Sequence, residues 1–250
     1  MSAKTTSQGK RILVLGATGT LGLAVVNACA HAGVTVVVSA RDSERLRRLT
    51  VSKEIESVPC DLSDSAAIAE LAKQVRPLDG VVYAAGLAPV KPLKYLKDDE
   101  LRLCFQLNAE APLQVTRELL RQKKLNEGAS IVWISSVAAG GGTKGYAAYA
   151  GSKAALEASM RCLALELAGR RIRVNAVAPG MVRGEMADAS ADAISSEVLE
   201  QHFAGYPLGE GRPVDVANAV VFLLSEKATW MTGVTMPVDG GYGLQVGGKS

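Results

Sequence analysis

The sequence predicts a doubly wound α/β fold, one seven-stranded parallel sheet with helices on both faces in a single domain. Three observations predict it. Short apolar runs alternate with longer amphipathic stretches along the whole chain. The runs are apolar on both faces, as strands covered by helices on each side must be, and a glycine-rich turn joins the first run to the first amphipathic stretch. Composition agrees: 48% of the 250 residues are hydrophobic but only 4% aromatic, which makes the core aliphatic, with 25 glycines available for turns.

The first strand is expected at 11–15 and the first helix at 20–32. A strand at 34–40 and a helix at 43–50 follow, then a strand at 57–60 and a helix at 64–75, for which Asp64 is a ready N-cap. Strand 80–84 leads to a long helix at 98–123, whose Asp98, Asp99 and Glu100 favour a helix start through the macrodipole. Strand 130–135 precedes helix 147–169. Strand 173–177 precedes helices at 192–203 and 213–225, the second opened by Pro213 and Asp215, and strand 235–238 closes the series. No linker or repeat interrupts it. Residues 1–10 read as a flexible polar tail and 11–250 as the folded domain. The stretch 181–208 is the least regular, punctuated by Gly184, Gly205 and Pro207; it is either a lid at the carboxyl edge of the sheet or an ordinary surface excursion.

A net charge of +3, from 28 basic and 25 acidic residues, is too small and too evenly spread for a nucleic-acid or anionic-membrane partner. No apolar run approaches the roughly 18 residues of a membrane span, and the first ten residues lack an apolar signal core, so a cytoplasmic protein is expected. Cys29, Cys60, Cys104 and Cys162 show neither CxxC pairing nor histidines at ligand spacing. They are expected to be small buried hydrophobes, and no metal site is expected. His31 and His202 lack a triad or metal pattern and are expected at satisfied surface or helix-end positions.

The first strand runs into Gly16-Ala17-Thr18-Gly19-Thr20-Leu21-Gly22 and then a helix. Glycines permit the tight turn and let a pyrophosphate approach free N–H groups at the helix N-terminus, which makes this a Rossmann-type dinucleotide site. An acid at the end of the second strand would accept from both ribose hydroxyls of NAD(H); here that strand ends Ser39-Ala40-Arg41. With Ala40 in place of the acid and a guanidinium able to pair with a 2′-phosphate, NADP(H) is expected in preference to NAD(H). The alternative is that Arg41 snorkels from the next helix. The rest of the basic cluster 41–48 reads as the solvated start of that helix.

Ser135-Ser136-Val137, followed by Tyr149-Ala150-Gly151-Ser152-Lys153, resembles the short-chain dehydrogenase/reductase family, whose mark is a serine and then YxxxK about a dozen residues on. Further matches span nearly the whole chain: Asp61, Ala84-Ala85-Gly86, Asn108, Asn175 through Gly180, Gly211-Arg212-Pro213, and Val238-Asp239-Gly240-Gly241. They resemble the family's short, single-domain branch, and within it 3-oxoacyl-carrier-protein reductases and sugar or polyol dehydrogenases. The resemblance implies hydride transfer between NADP(H) and a carbonyl or alcohol substrate, one carried on an acyl carrier among the options. Its cofactor-binding set here is Gly16, Thr18, Gly19, Thr20, Leu21, Gly22, Arg41, Asp61, Leu62, Ala85, Gly86, Tyr149, Lys153, Pro179, Gly180 and Val182. Its catalytic group is Asn108, Ser136, Tyr149 and Lys153. It also implies a homo-oligomer, a tetramer or dimer, through helices 98–123 and 147–169 and the last strand. Val115, Leu119, Leu120, Leu156, Met160, Leu163 and Leu167 suit either that interface or the core.

The chemistry is legible in the residues themselves. Tyr149 and Lys153 lie four apart at a helix start and share a face. A phenol with an unperturbed pKa near 10 is a poor acid or base at neutral pH, and a neighbouring ammonium and an oxidised nicotinamide are expected to bring it down. The resemblance also gives Lys153 the nicotinamide ribose to hold. Ser136, at the end of a strand, is placed to donate to the substrate oxygen, while Ser135 points the other way. For Asn108, the resemblance implies holding a water that relays protons to Lys153; the other reading is an amide satisfying a local helix break. Tyr146 reads as packing or substrate-facing, and Gly140-Gly141-Gly142 as a mobile or close-packed loop.

Three departures from the family pattern stand out. Thr20 occupies the place of a glycine in the turn, Tyr83-Ala84-Ala85 replaces an asparagine pair, and Gly184 replaces a threonine, removing a hydroxyl worth about 1 kcal/mol toward the cofactor. The altered turn motivates a second reading: a dinucleotide-binding regulatory or scaffold protein without turnover.

Overall fold

The computed structural model describes residues 9–49, 55–184 and 196–245. Most of the expected tail, and the part of the irregular stretch at 185–195 with the start of its helix, lie outside the described residues. The strands are β1 (Arg11–Leu15), β2 (Thr35–Ser39), β3 (Ile55–Ser57), β4 (Leu78–Tyr83), β5 (Leu125–Ile134), β6 (Arg173–Pro179) and β7 (Thr235–Val238). They form one parallel sheet in the order β3-β2-β1-β4-β5-β6-β7. The chain winds outward one way from β1 and the other way from β4. The crevice beyond the carboxyl ends of these two strands is therefore where such a sheet binds ligands.

Strand alternation divides the core into two layers. Leu13, Leu15, Val37, Val81, Ile131 and Trp133 face α3 (Ser65–Gln74), α5 (Ala111–Arg121) and α6 (Ala147–Leu167). Ile12, Val14, Val36, Val38, Val82 and Val132 face α1 (Thr20–His31), α2 (Ser43–Leu49) and α8 (Pro213–Leu224). The helix Ser196–Ala204, α7, precedes it. Complete burial of one such aliphatic side chain contributes about 1.5–3 kcal/mol, so a strand buried on both faces is held far more strongly than its length suggests. The expected helix starts hold. Asp64 Oδ1 accepts from Ala66 N at 2.8 Å, and the Glu100 and Asp215 carboxylates accept from the amides of Lys97 and Arg212.

Three expectations are corrected. The third strand spans Ile55–Ser57 rather than 57–60; Val58 N still donates to Val38 O of β2 and Cys60 N to Ala40 O just past it, and Pro59 between them falls on the outer edge, where its missing N–H breaks no bond to β2. The fifth strand starts five residues before the expected 130, with a register shift opposite Leu78 and Gly80. The helix at 98–123 is interrupted: α4 (Asp98–Phe105) passes through a π-turn at Gln106–Glu110 before α5 begins. Pro112 has no N–H for the carbonyl of Asn108 four residues back, and the wider turn closes with Ala111 N donating to Gln106 O.

Val115, Leu119, Leu156, Met160 and Leu167 are core residues of the chain itself, with Leu120 and Leu163 packed against them. Cys29, Cys60 and Cys104 are buried, but Cys162 is exposed on the outer face of α6, against expectation. Among the described residues no helix is long and apolar enough to cross a membrane.

Candidate active site

At the end of β1 the chain turns on Gly16, whose φ of +76° is left-handed and whose Cβ, if present, would lie 2.6 Å from Ala85 N. The turns after β1 and β4 are thus packed backbone to backbone. Gly22, one turn into α1, lies so close to the Gly16 carbonyl oxygen that any side chain would overlap it. Gly19 is the N-cap of α1 and brings no side-chain cap, and there is no acid in the first turn. The helix N-terminus therefore presents its amides and positive end of the dipole to the crevice.

Two of the departures turn out to be one. A side chain on Gly184 would run into Thr20, whose hydroxyl and methyl already occupy that space. Thr20 thus lies where the missing hydroxyl of residue 184 would have been.

Beyond β2, exposed Arg41 sits close enough to Asp61 to help hold its carboxyl below the usual range, after the hydroxyl and amide of Ser63. Asp42 caps α2 by accepting from the amides of Glu44 and Arg45 at 3.0 Å. Arg45, read from the sequence only as part of a solvated cluster, reaches back to Thr18 O at 3.2 Å and puts a second guanidinium at the glycine turn. Leu62 is buried, Ala85 and Gly86 line the turn after β4, and Val182 pairs with Gly211 beyond Pro179 and Gly180.

The four expected catalytic residues come together where β5 meets α6. Tyr149 and Lys153 are 8% and 3% exposed, and Nζ lies 5.8 Å from the phenol ring centroid. Lys153 Nζ donates to Ile134 O at 2.8 Å. Ser136 Oγ accepts from Ala138 N at 3.2 Å, leaving its proton for the phenol. Asn108, fully buried in the π-turn, clamps Leu87: its Oδ1 accepts from Leu87 N at 3.0 Å and its Nδ2 donates to Leu87 O at 2.8 Å. The same Nδ2 lies 2.9 Å from Ser152 Oγ and 3.4 Å from Cys104 Sγ. Gly86 fits between Asn108 and Lys153, since a Cβ there would stand 2.8 Å from Asn108 Oδ1.

Of the two groups expected to lower the phenol, the Lys153 ammonium does not do so in the chain itself. Burial pushes the Tyr149 phenol up to about 12, and the group that pulls it back is the Ser136 hydroxyl rather than Lys153. Burial takes Lys153 itself down to about 8 and its ammonium is turned toward Ile134 O, which limits the charge it presents to the ring.

Tyr146 packs edge-on against Tyr149, with ring centroids 6.0 Å apart. Gly140 and Gly142 have open space around them, so close packing does not account for the triple glycine. His31 is an exposed helix-end residue bonded to Asn27 O. His202 is half-buried between the phenols of Tyr206 and Tyr242, and Tyr206 OH accepts from Met181 N at 2.6 Å, tying α7 to the loop after β6.

Residues 16–243 match the family profile described as Enoyl-(Acyl carrier protein) reductase. The chain belongs to the short-chain dehydrogenase/reductase family. Among curated relatives of this family, 3-oxoacyl-(acyl-carrier-protein) reductase FabG of Rickettsia felis is 33% identical over 236 residues, covering 93% of this chain and 96% of its own. The 2,3-dihydro-2,3-dihydroxybenzoate dehydrogenase of Bacillus subtilis is 33% identical over 255 residues, covering 96% and 98%. Among solved structures, the Pseudomonas aeruginosa RhlG/NADP active-site complex matches with a TM-score of 0.86 at 30% identity, over 97% of this chain and all of that one. The family is one of oxidoreductases acting on CH–OH and C=O groups.

Proposed function

We propose that this chain is an NADP(H)-dependent reductase of a carbonyl substrate, of the 3-oxoacyl type, with Tyr149 as proton donor. The observation that carries the reading is the meeting of Ser136, Tyr149 and Lys153 at the crevice that the glycine turn opens onto. The residues fit a dinucleotide. Gly16 and Gly22 form a cradle that a Cβ would fill, α1 offers uncapped amides to a pyrophosphate, and Arg41 and Arg45 stand where a 2′-phosphate would lie, with no acid at Ala40. Support for NADP(H) also comes from the RhlG complex and the FabG relatives.

When bound, the nicotinamide supplies the hydride. On substrate binding Ser136 turns its hydroxyl proton from the phenol to the substrate oxygen, in a hydrogen bond that strengthens as negative charge develops there, and Tyr149, fully protonated at neutral pH with its phenol near 12, gives that oxygen a proton. Lys153 holds the ribose. Asn108, whose carbonyl has lost its helical donor to Pro112, is the site for a water that returns protons to Lys153.

Titration of the purified protein with NADPH and NADH, followed by cofactor fluorescence, tests the reading. NADPH is expected to bind at least about tenfold tighter, and Arg41→Ala to remove the preference by costing NADPH about 1–3 kcal/mol. Equal binding of NADH, unaffected by the substitution, would overturn the cofactor assignment. Binding of cofactor without turnover across a broad panel of carbonyls and alcohols would favour the regulatory or scaffold reading.

A further inference from the structure

The carboxyl end of β5 and the first turns of α6 meet residue by residue. Tyr149, Lys153 and Glu157 stand four apart in succession on α6 and so share one face. Each engages a different one of three consecutive residues: Tyr149 the hydroxyl of Ser136, Lys153 the carbonyl of Ile134, and Glu157 the hydroxyl of Ser135, which donates to Oε1 at 2.6 Å. Ser135 is 2% exposed and Glu157 half-buried, so the bond is charge-assisted and shielded from water. Strand alternation alone predicts that Ser135 points away from Ser136, yet both lie just past the end of β5 and both meet the helix that carries Tyr149.

We propose that Glu157 and Ser135 are a positioning pair: their bond fixes the end of β5 against α6 so that Ser136 meets Tyr149, and the carboxylate sets a negative charge beside the Lys153 ammonium. The pair rests on the reading of Ser136, Tyr149 and Lys153 as the catalytic group. Three contacts hold strand end to helix here, and Glu157 makes the one farthest along α6 from Tyr149. A displacement of Ser136 by even 1 Å spoils the alignment on which proton donation depends. The groups acting on Lys153 fit the second half. Against the burial that drives it down, the Cys104 thiol of α4 and the Glu157 carboxylate raise it, and Tyr149 faces it from the same helix. Glu157 is the one carboxylate among these groups.

Three substitutions separate the bond from the charge: Glu157→Gln keeps an acceptor for Ser135 without charge, Ser135→Ala keeps the charge without the bond, and Glu157→Ala loses both. With NADPH and a carbonyl substrate, Ser135→Ala and Glu157→Ala are expected to lower kcat about tenfold, with KM for NADPH within about twofold of wild type. Glu157→Gln should recover most of that loss near pH 6.5 but not near pH 8. In cofactor-free protein labelled with [13C]lysine, the Lys153 ε-carbon resonance, assigned by its loss in Lys153→Met, should titrate about half to one pH unit lower in Glu157→Gln and stay put in Ser135→Ala. All three variants within about twofold of wild-type kcat, with the Lys153 titration unmoved, would overturn the proposal. Wild-type protein that turns over no carbonyl would instead sink the catalytic reading, and the lysine titration would still decide the charge half. Should the alanine variants fail to fold, the near-isosteric Glu157→Gln carries the test.

Discussion

Lys153 is the residue at which function and stability oppose each other. Its value near 8 lies below the ordinary 10.5, so between these two the unfolded chain keeps a proton that the native chain has shed, and stability rises with pH through that window. Below about pH 8 both states are protonated and the fold carries the full penalty of a buried ammonium, softened by the bond to Ile134 O. Lys153→Met is therefore expected to melt higher at pH 7, by about 1–2 kcal/mol or roughly 2–8 °C, with the gap closing toward pH 10. Scanning calorimetry at the two pH values checks this; a lower melting temperature at pH 7 would mean that the lysine is net stabilising. The same titration shapes the rate. Because Tyr149 stays protonated until about 12, carbonyl reduction should be level below pH 7 and decline as Lys153 loses its proton around 8. Tyr149→Phe should cost at least about 100-fold in kcat and leave NADPH affinity within about threefold.

At the scale of elements, two local features aim the site. The first is the π-turn in front of α5. Pro112→Ala returns the missing N–H and favours a regular helix through 106–110, turning the Asn108 side chain away from Leu87. Helix content and melting temperature should hold or rise while kcat falls about tenfold, and unchanged kcat would show that the turn does not position Asn108. The second is the glycine turn. Gly22→Ala forces a methyl onto the Gly16 carbonyl, with an expected loss of about 2–4 kcal/mol in urea unfolding and of NADPH binding. The signal for Gly22 was plain in the sequence because a glycine motif between strand and helix has one established use. The π-turn was not, since Pro112 near a helical pattern reads equally as a helix start, and only the observed bonds separate α4 from α5.

Across the whole molecule, the apolar residues that suited either a subunit interface or the core belong to the core, and other residues face outward: Leu165 at 81%, Leu244 at 90% and Trp230 at 100% exposure. Burying a fully exposed tryptophan is strongly favourable, and β7 leaves its outer edge unpaired within the sheet. We expect a tetramer or dimer at micromolar concentration by light scattering. Of the two tryptophans Trp133 is already in the core, so dilution into monomer should shift emission to the red through Trp230 alone. A monomer throughout would refute the assembly.

The amino-acid sequence by itself determined the alternation of strands and helices and the glycine turn after the first strand, and it marked Ser136, Tyr149, Lys153 and Arg41 as candidate site residues. These are written in local patterns: two-sided apolar runs, a glycine turn of set spacing, and a phenol and an amine one helical turn apart. What only the tertiary structure decided is what lies opposite what. Thr20 and Gly184, read separately as two losses, meet across the turn and share one space. Ser135, read as pointing away from the chemistry, points at Glu157. Lys153, read as the group that lowers Tyr149, is turned to a backbone carbonyl and weakened by burial, which leaves that task to Ser136. Each depends on the depth of burial and on contacts between segments far apart in the chain, and periodicity along the chain carries neither.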